Sequence, residues 1–293
     1  MADSIPCELV LDAHAPLAES PLWDAQTGTL LWVDIERGEI HRFDPEDRSD
    51  RVWNVDLGVT AIALREQDGL LATTPHGFAF VELQEHAALI EVIPTPELTP
   101  EGVRMNDAKV GPAGRLWAGS TGDSTDPVAA LFCLDGELQV REVLEGVTES
   151  NGLGWSPAET SMYHVDSNAG KVNVYDYDKS TGEIANPRPL VTTDIRSEVP
   201  DGLAVDTDGG IWVAFWNGSQ VRRVSPSGDV LAVIDLPCKQ VTSCAFGGPG
   251  LYDLYITTAA FEIDSDEAAA THAGGIFHCR PDVRGQTVPR FAG

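Results

Sequence analysis

Two acids and two amides occupy equivalent places in a pattern that recurs along this 293-residue chain. Glu19, Asn106, Asn151 and Asp201 each precede, by 11 to 13 residues, an aromatic residue in a short apolar run. Carboxylate and amide oxygens are the ligands that hard divalent cations prefer. If the repeats bring these side chains together, they form an oxygen-lined metal site in which a carboxylate is also available as a base.

The recurring pattern is a turn followed by a few apolar residues with an aromatic residue or leucine among them. Six copies centre on Trp32, Leu71, Trp117, Tyr163, Trp212 and Tyr255. Neighbouring copies are 39 to 49 residues apart, close to the length of one four-stranded propeller blade. Short strands between turns, with almost no helical periodicity outside residues 262–272, are typical of a closed all-β array. The sequence therefore predicts an all-β fold, a six-bladed β-propeller that occupies residues 1–293 as one domain, with the strand CELVLD completing the last blade.

The repeat also predicts which side chains point into the central channel, because the first strand of each blade lines it. Counting back from the six repeat centres gives one polar residue at the start of each first strand: Glu19, Thr60, Asn106, Asn151, Asp201 and Thr242. The pairs Asn151-Gly and Asp201-Gly are also common hairpin signals, but each of these segments has a separate turn five or more residues later. We therefore interpret them as channel positions, where glycine permits close backbone packing.

Composition and motifs exclude several classes of function. A net charge of −27 disfavours nucleic acid and anionic membrane surfaces as partners. No leader-like or long apolar segment is present, so we expect a cytoplasmic protein, as a monomer or a small homo-oligomer. Five scattered cysteines without a C-x-x-C spacing predict free thiols, and seven histidines lack a zinc-site spacing. No G-x-S-x-G, Walker or G-x-G-x-x-G motif occurs. The segment DTDGG lacks the closing glutamate of a calcium loop and is interpreted as a hairpin turn.

Several segments, taken together and in order, resemble the regucalcin/gluconolactonase family, also called the senescence marker protein family. They are AESPLWDAQTGTLLWVDIERGEIHRFDP, RMNDAKVGPAGRLWAGS, SNGLGWSPAETSMYHVDS, VPDGLAVDTDGGIWVAFWNGSQVRRVSP, TSCAFGG and AGGIF. The resemblance implies a six-bladed propeller with one divalent metal at the channel mouth and activity on sugar lactones. It places the metal ligands at Glu19, Asn151 and Asp201.

The resemblance also implies substrate contacts at Arg104 and Asn106. Animal members carry an acidic pair in the loop after the AG strand, where this chain has Asp123 and Ser124. Asp123 is therefore the expected third substrate contact, and the identity of the sugar stays open.

The implied reaction is the hydrolysis of an aldono-lactone, with the metal as Lewis acid and Asp201 as general base. The metal is left open among calcium, zinc, manganese, magnesium and iron. Two alternatives also stay open. The same site could act on aryl esters or phosphotriesters, as in related propeller hydrolases, or the chain could be a non-catalytic propeller that binds calcium or a protein.

Overall fold

The computed structural model describes residues 3–95, 101–122 and 125–293. Two strands, β1 (Asp3–Ser4) and β2 (Cys7–Leu11), precede the first blade. Blade 1 comprises β3 (Ala18–Asp24), β4 (Thr29–Asp34), β5 (Glu39–Asp44) and β6 (Ser49–Asn54). Blade 2 comprises β7 (Ala61–Leu64), β8 (Leu70–Thr74), β9 (Gly77–Leu83) and β10 (Ala88–Ile93). Blade 3 comprises β11 (Val103–Val110), β12 (Leu116–Gly122), β13 (Ala129–Leu134) and β14 (Val140–Val147).

The second half of the chain continues the same arrangement. Blade 4 comprises β15 (Ser150–Trp155), β16 (Ser161–Asp166), β17 (Lys171–Asp178) and β18 (Glu183–Thr192). Blade 5 comprises β19 (Val199–Val205), β20 (Ile211–Trp216), β21 (Gln220–Val224) and β22 (Val230–Asp235). Blade 6 comprises β23 (Val241–Gly247), β24 (Asp253–Thr258) and β25 (Ile276–Cys279). A 3₁₀ helix, Pro249–Leu251, precedes β24, and one α-helix, α1 (Ser265–Thr271), lies within the segment 262–272.

The six sheets close into a ring, as predicted. Consecutive strands within each blade pair antiparallel, and β2 pairs with β25, so that Cys7 lies opposite Cys279 and the N-terminal strand completes blade 6. The strand β1 adds to blade 5 in parallel, beside β22. The first strands contact one another in the circular order β3, β7, β11, β15, β19, β23 and β3 again. The expected six-bladed propeller and its closing strand are therefore confirmed.

The repeat centres form the packed interior of the blades. Trp32, Leu71, Trp117 and Trp212 have no exposed surface, and all six centres lie on the second strand of their blade. Apolar clusters also join one blade to the next: Leu31 of β4, for example, belongs to the same cluster as Ile62 of β7. Burial of these faces supplies the main stabilising free energy and fixes the first strands around the channel.

The C-terminal segment 285–293 crosses the end of the channel at which the first strands finish. Its hydrogen bonds reach every blade: Arg290 Nη2 donates to Asp24 Oδ1, Phe291 N to Leu64 O, Ala292 N to Gly114 O, Gln286 Nε2 to Trp155 O and Val205 O, and Gly285 N to Leu251 O. Phe291 is fully buried. The segment therefore fastens this end of the ring, and the opposite end, where the first strands begin, carries the predicted polar residues.

Two further expectations are borne out. All five cysteines are free thiols, and four of them are buried. The segment DTDGG forms the turn between β19 and β20, as interpreted from the sequence. Among the described residues, no helix has the length and apolar character needed to cross a membrane.

Candidate functional site

The first strands are irregular at the predicted channel positions. The pairing register shifts between Glu19 and Leu22 in β3, between Met105 and Ala108 in β11, between Ser150 and Leu153 in β15, between Pro200 and Leu203 in β19, and between Val241 and Ser243 in β23. An extra residue in one strand of an antiparallel pair bends that strand and redirects its side chains. The same device in five blades therefore turns these polar side chains toward the channel axis.

Glycine lets the backbones of neighbouring blades meet behind two of these side chains. A Cβ atom on Gly152 would lie 2.5 Å from the backbone oxygen of Asp201, and one on Gly202 would lie 2.8 Å from Ser243 Cα. Both distances are far below normal contact, so only glycine fits without moving a blade. The interpretation of Asn151-Gly and Asp201-Gly as channel positions is consistent with this packing.

A cavity of about 310 Å³ opens at this end of the channel and collects most of the predicted residues. Glu19, Arg104, Asn106, Asn151 and Asp201 all line it. Thr60 also lines the cavity, whereas Thr242 is fully buried and donates its hydroxyl to Ala18 O. Asp123, the expected third substrate contact, lies outside the described residues.

The two carboxylates of the site, Glu19 and Asp201, are both buried and repel each other. Burial, and then the charge of Asp107, raises the pKa of Glu19 to about 8. Burial, the charge of Glu19 and further acids raise the pKa of Asp201 well above its usual range. Asp201 Oδ1 is buried and has no hydrogen-bond partner among the described residues. A cation bound between these groups would offset both the burial and the repulsion.

The two asparagines of the site differ in the oxygen that they leave for a ligand. Asn106 uses both ends of its amide, since Nδ2 donates to Ser150 O at 3.1 Å and Oδ1 accepts from Arg104 Nη1 at 3.1 Å. Asn151 donates from Nδ2 to Ser167 Oγ at 3.1 Å, and that hydroxyl donates to Pro200 O at 2.7 Å. The Oδ1 atom of Asn151 makes no hydrogen bond with a described residue. This pattern favours Asn151 as the amide ligand of a cation and Asn106 as a fixed support for Arg104.

The donor set fits a hard divalent cation. It consists of two carboxylates and one amide oxygen, all on buried side chains, as hard cations prefer. No group of three or more histidine, cysteine, aspartate and glutamate side chains with the geometry of a metal site occurs within the described ranges. The predicted set contains an asparagine and therefore contributes only two side chains of those four types.

Two acids of the cavity, Asp107 and Glu149, were not predicted from the sequence. Asp107 follows Asn106 directly, and regular strand alternation would point the two side chains to opposite faces. The register shift in β11 brings both into the cavity lining. Burial raises the pKa of both acids; the charge of Lys109 opposes the rise for Asp107, and the charge of Arg104 opposes it for Glu149.

A period of two could have revealed Glu149. It stands two residues before Asn151, just as Arg104 stands two residues before Asn106. Leu17 and Val199 have the same relation to Glu19 and Asp201, and all four of these residues line the cavity.

Comparison with known proteins identifies the family to which this chain is related. Residues 17–260 match the family model described as SMP-30/Gluconolactonase/LRE-like region. The chain belongs to the SMP-30/gluconolactonase family. This family assignment agrees with the resemblance drawn from the sequence, and the matched region includes blades 1 to 5 and the first two strands of blade 6.

Individual members of the family are similar over nearly their whole length. A Bacillus subtilis (strain 168) protein named as an inferred sugar lactone lactonase, YvrE, is 37% identical over 288 residues, which are 97% of this chain and 98% of that protein. Regucalcin of Oryctolagus cuniculus is 36% identical over 282 residues, 94% of each chain. The solved structure of a luciferin-regenerating enzyme superposes with a TM-score of 0.91 at 28% identity and covers 99% of this chain and 100% of its own.

Proposed function

We propose that this SMP-30/gluconolactonase family member is a metal-dependent lactonase that opens a sugar lactone to the corresponding sugar acid. The observation that supports the proposal most strongly is the pair Glu19 and Asp201, two buried carboxylates that repel each other and line the same cavity as Asn151. Full-length similarity to YvrE, a protein named for sugar lactones, supports the substrate class.

Glu19, Asn151 and Asp201 would hold a divalent cation. When bound, such a cation supplies Lewis-acid polarisation of the lactone carbonyl and stabilises the negative charge that develops on its oxygen. The Ser167 hydroxyl accepts a hydrogen bond from Asn151 Nδ2 and donates one to Pro200 O. These bonds hold the Asn151 side chain in one orientation and leave its Oδ1 atom for the cation. The positions of two ligands, one in blade 4 and one in blade 5, are therefore coupled through one hydroxyl.

Asp201 is the proposed general base. Its buried Oδ1 has no protein partner among the described residues and is free to accept a proton from water. As the water oxygen bonds to the carbonyl carbon, Asp201 takes one proton; as the ring C–O bond breaks, the proton passes to the ring oxygen, which becomes a hydroxyl of the sugar acid. The protonation state of Asp201 is thus restored at the end of each cycle.

Arg104 and Asn106 are the proposed substrate-binding residues, with Asp123 as a third. Arg104 donates from Nη1 to Met105 O at 3.0 Å and to Asn106 Oδ1, so its guanidinium is held at the cavity wall. Asn106 is itself tied to blade 4 through Ser150 O. This arrangement presents a rigid cationic group to the carbonyl or hydroxyl oxygens of a lactone.

A matrix of metals and substrates tests the proposal. Metal-stripped protein is assayed with calcium, zinc, manganese, magnesium and iron(II) against glucono-lactone, pentono-lactones, phenyl acetate and an aryl phosphotriester. We expect lactone hydrolysis that depends on one or more of the metals and exceeds the ester and phosphotriester rates. Faster turnover of an ester or phosphotriester would instead support the second hydrolase reading, and no turnover with any combination would support a non-catalytic propeller.

Metal binding is tested separately from activity. Glu19→Gln removes a charged ligand but keeps the shape of the side chain, so we expect metal retention after dialysis to fall by at least about tenfold. The matched control is Glu46→Gln, a change at an exposed acid away from the cavity. Equal retention by both variants would exclude Glu19 as a ligand.

A further inference from the structure

The wall of the cavity is divided into an apolar half and a polar half. Among the described residues, five apolar side chains line the cavity, and all come from blades 1, 5 and 6 or the loops that follow their strands: Leu17, Ile35, Val199, Trp216 and Phe261. Apart from the three proposed metal ligands, nine of the described lining residues are polar, and seven of them come from blades 2, 3 and 4: Thr60, Arg104, Asn106, Asp107, Glu149, Ser167 and Asn168. Glu36 and Asn217 are the two exceptions.

These two halves face each other across the channel. The first strands contact one another in the order of the blades, so blades 5, 6 and 1 form one continuous half of the ring and blades 2, 3 and 4 form the other. A ligand in the cavity therefore meets only polar groups on the side of blades 2, 3 and 4. The other side carries the apolar lining beside Glu36, Asn217 and the proposed metal ligands Glu19 and Asp201. An occupant with the same asymmetry satisfies both sides, since a hydroxyl placed against the apolar half loses water without gaining a partner.

Trp216 and Phe261 form the aromatic part of the apolar half. Their rings lie 6.5 Å apart, centre to centre, at an angle of 56°. Trp216 ends the second strand of blade 5, and Phe261 follows the second strand of blade 6, so the pair bridges two neighbouring blades at the cavity mouth. Phe261 is 37% exposed, and together with Trp216 it lines the cavity.

Gln240 holds this pair in place through its buried side chain. Its Nε2 donates to Phe261 O at 2.9 Å, and its Oε1 accepts from Phe261 N at 2.9 Å. The Gln240 backbone forms an isolated antiparallel bridge with Trp216 and accepts from Ala259 N at 2.9 Å. One residue therefore fixes both the strand end that carries Trp216 and the loop that carries Phe261. Gln240 itself does not line the cavity.

The size of the cavity limits the occupant to one ring with its substituents. At about 310 Å³ it lies at the lower end of the range for small-molecule sites, about 300 to 1,000 Å³. With the lactone carbonyl directed to Glu19, Asn151 and Asp201, the ring hydroxyls can turn toward blades 2 to 4. The exocyclic end of the substrate is then the part left for Trp216 and Phe261.

Resting on the proposed lactonase activity, we propose that Trp216 and Phe261 select lactones of sugar acids that carry a hydrocarbon edge. The smallest such substrates are 6-deoxy-aldonolactones, whose terminal methyl group would contact the aromatic pair. Gln240 is the positioning residue of this pair.

The test compares lactones that differ by one hydroxyl group. L-Rhamnono-γ-lactone and L-mannono-γ-lactone share every ring centre and differ only in having hydrogen or hydroxyl at C6; L-fucono- and L-galactono-γ-lactone form a second pair. With the metal that gives the highest rate, we expect at least one deoxy member to exceed its partner in kcat/KM by about tenfold or more. Ratios near one in both pairs, or a preference for the hydroxylated members, would overturn the proposal.

Substitutions of the two aromatic residues test whether they cause the selectivity. In Trp216→Ala and Phe261→Ala we expect the deoxy-to-hydroxy ratio to fall toward one, mainly through a higher KM for the deoxy lactone. The control Tyr252→Ala removes an exposed aromatic side chain that does not line the cavity, and its ratio should stay unchanged. Unchanged ratios in both site variants, with normal thermal unfolding, would contradict the assignment.

Gln240→Ala tests the positioning role. We expect the KM for the deoxy lactone to rise at least threefold while kcat changes by less than twofold, because Gln240 contacts neither the metal ligands nor Arg104. Gln240→Glu keeps the acceptor for Phe261 N but loses the donor to Phe261 O, so its KM should fall between those of the wild type and Gln240→Ala. A parallel fall of kcat in both variants would contradict a positioning role.

Failure of the lactonase proposal itself has a different signature. If no lactone is opened with any metal, the binding of L-rhamnonate and L-mannonate can still be followed through the intrinsic fluorescence of the chain, which has seven tryptophans. The proposed selectivity then requires tighter binding of L-rhamnonate and its loss in Phe261→Ala. Equal affinities for the two acids would overturn it.

Discussion

The strand β19 has a buried acid near each end, and the surroundings of the two acids differ. At the closed end of the channel, Asp206 accepts four hydrogen bonds: Oδ1 from Asp208 N at 2.9 Å and Gly210 N at 2.8 Å, and Oδ2 from Trp212 Nε1 at 2.9 Å and Arg223 Nε at 2.8 Å. At the open end, Asp201 has one buried oxygen with no partner among the described residues, and its charged neighbours are mainly acids.

The difference separates a carboxylate that stabilises the fold from one that weakens it. The donors around Asp206 satisfy both oxygens and Arg223 balances the charge, so removing this carboxylate would leave several buried groups without a partner. Among the described residues, Asp201 has acids for charged neighbours and only the backbone of Gly202 to offset its burial beside Glu19, so its charged form is unfavourable for folding. A carboxylate held in this way is best explained by an external partner, and active sites commonly contain such unfavourable groups.

The largest effect is expected from changing the acid at the open end. Asp201→Asn removes the proposed base and one charged ligand, so we expect kcat/KM for the best lactone to fall at least about 1,000-fold. Because the change also removes a buried acid whose charge is repelled by neighbouring acids, the metal-free variant should unfold at the same temperature as the wild type or higher. Steady-state kinetics and thermal unfolding with a chelator measure the two quantities. Full activity would exclude Asp201 as base, and a strongly lowered unfolding temperature would contradict the contrast with Asp206.

The acid at the closed end should give the opposite result. Asp206→Asn replaces one carboxylate oxygen by an NH2 group, so two of the four donors lose their acceptor. Arg223 also loses its buried charged partner. We therefore expect a loss of about 3 to 5 kcal/mol in the free energy of unfolding. The kcat of the protein that remains folded should stay within about twofold of the wild type, since the change lies at the far end of the strand. Denaturant unfolding and active-site-normalised kinetics test both parts. A large fall in kcat without a loss of stability would reverse the comparison.

The sequence allowed the places of the two acids to be predicted, one in the channel and one in a turn, but not the difference in their hydrogen bonding. The spacing of the repeat centres located the open-end residues, and the double turn in PDGLAVDTDGG separated Asp201 from the hairpin acid Asp206. Asp107 was missed because its orientation depends on a register shift that strand alternation does not reveal. Gln240 stands two residues before Thr242, so the period of two marks its position, but its contact with Phe261 joins separate segments of blade 6 and could not be read from the repeat.

The close packing behind Asp201 gives a smaller effect on both stability and activity. Gly202→Ala would force a Cβ atom to within 2.8 Å of Ser243 Cα, so blade 6 must move away from blade 5. We expect a loss of about 3 kcal/mol in unfolding free energy and a fall in kcat/KM of at least about tenfold, because Asp201 moves with the strand.

Gly28→Ala is the matched control for this substitution. Gly28 has a φ of 71° and open space around its Cα, so only the left-handed conformation is penalised, by about 1 kcal/mol. Its activity should equal that of the wild type. Equal losses of activity in the two glycine variants would show that close packing between blades does not set the position of Asp201.

The smallest expected effect on stability concerns His164, a buried histidine with a hydrogen-bond partner for only one of its two ring nitrogens among the described residues. His164 contacts the Ser150 hydroxyl through Nε2 at 2.8 Å, while its buried Nδ1 has no partner among the described residues. Burial lowers the pKa of His164 to about 4 from a usual value of 6.5, although the charge of Asp166 opposes this shift; the Tyr175 ring lies 6.4 Å away. The imidazole is therefore neutral in the folded protein over most of the pH range.

The sign of the resulting pH dependence follows from proton counting. Between pH 6.5 and 4 the unfolded chain binds a proton at His164 that the folded protein does not, so stability falls as the pH decreases through this window. The resulting loss in the free energy of unfolding is at most about 3 kcal/mol at low pH, and it disappears as the pH rises above 6.5. Because 46 acidic residues also begin to titrate as the pH falls, the measurement is the difference between the wild type and His164→Gln, in which the amide keeps a partner for Ser150. We expect the unfolding free energy of the variant to decline less steeply between pH 6.5 and 4.5, and parallel curves would show that His164 is compensated as completely as Asp206.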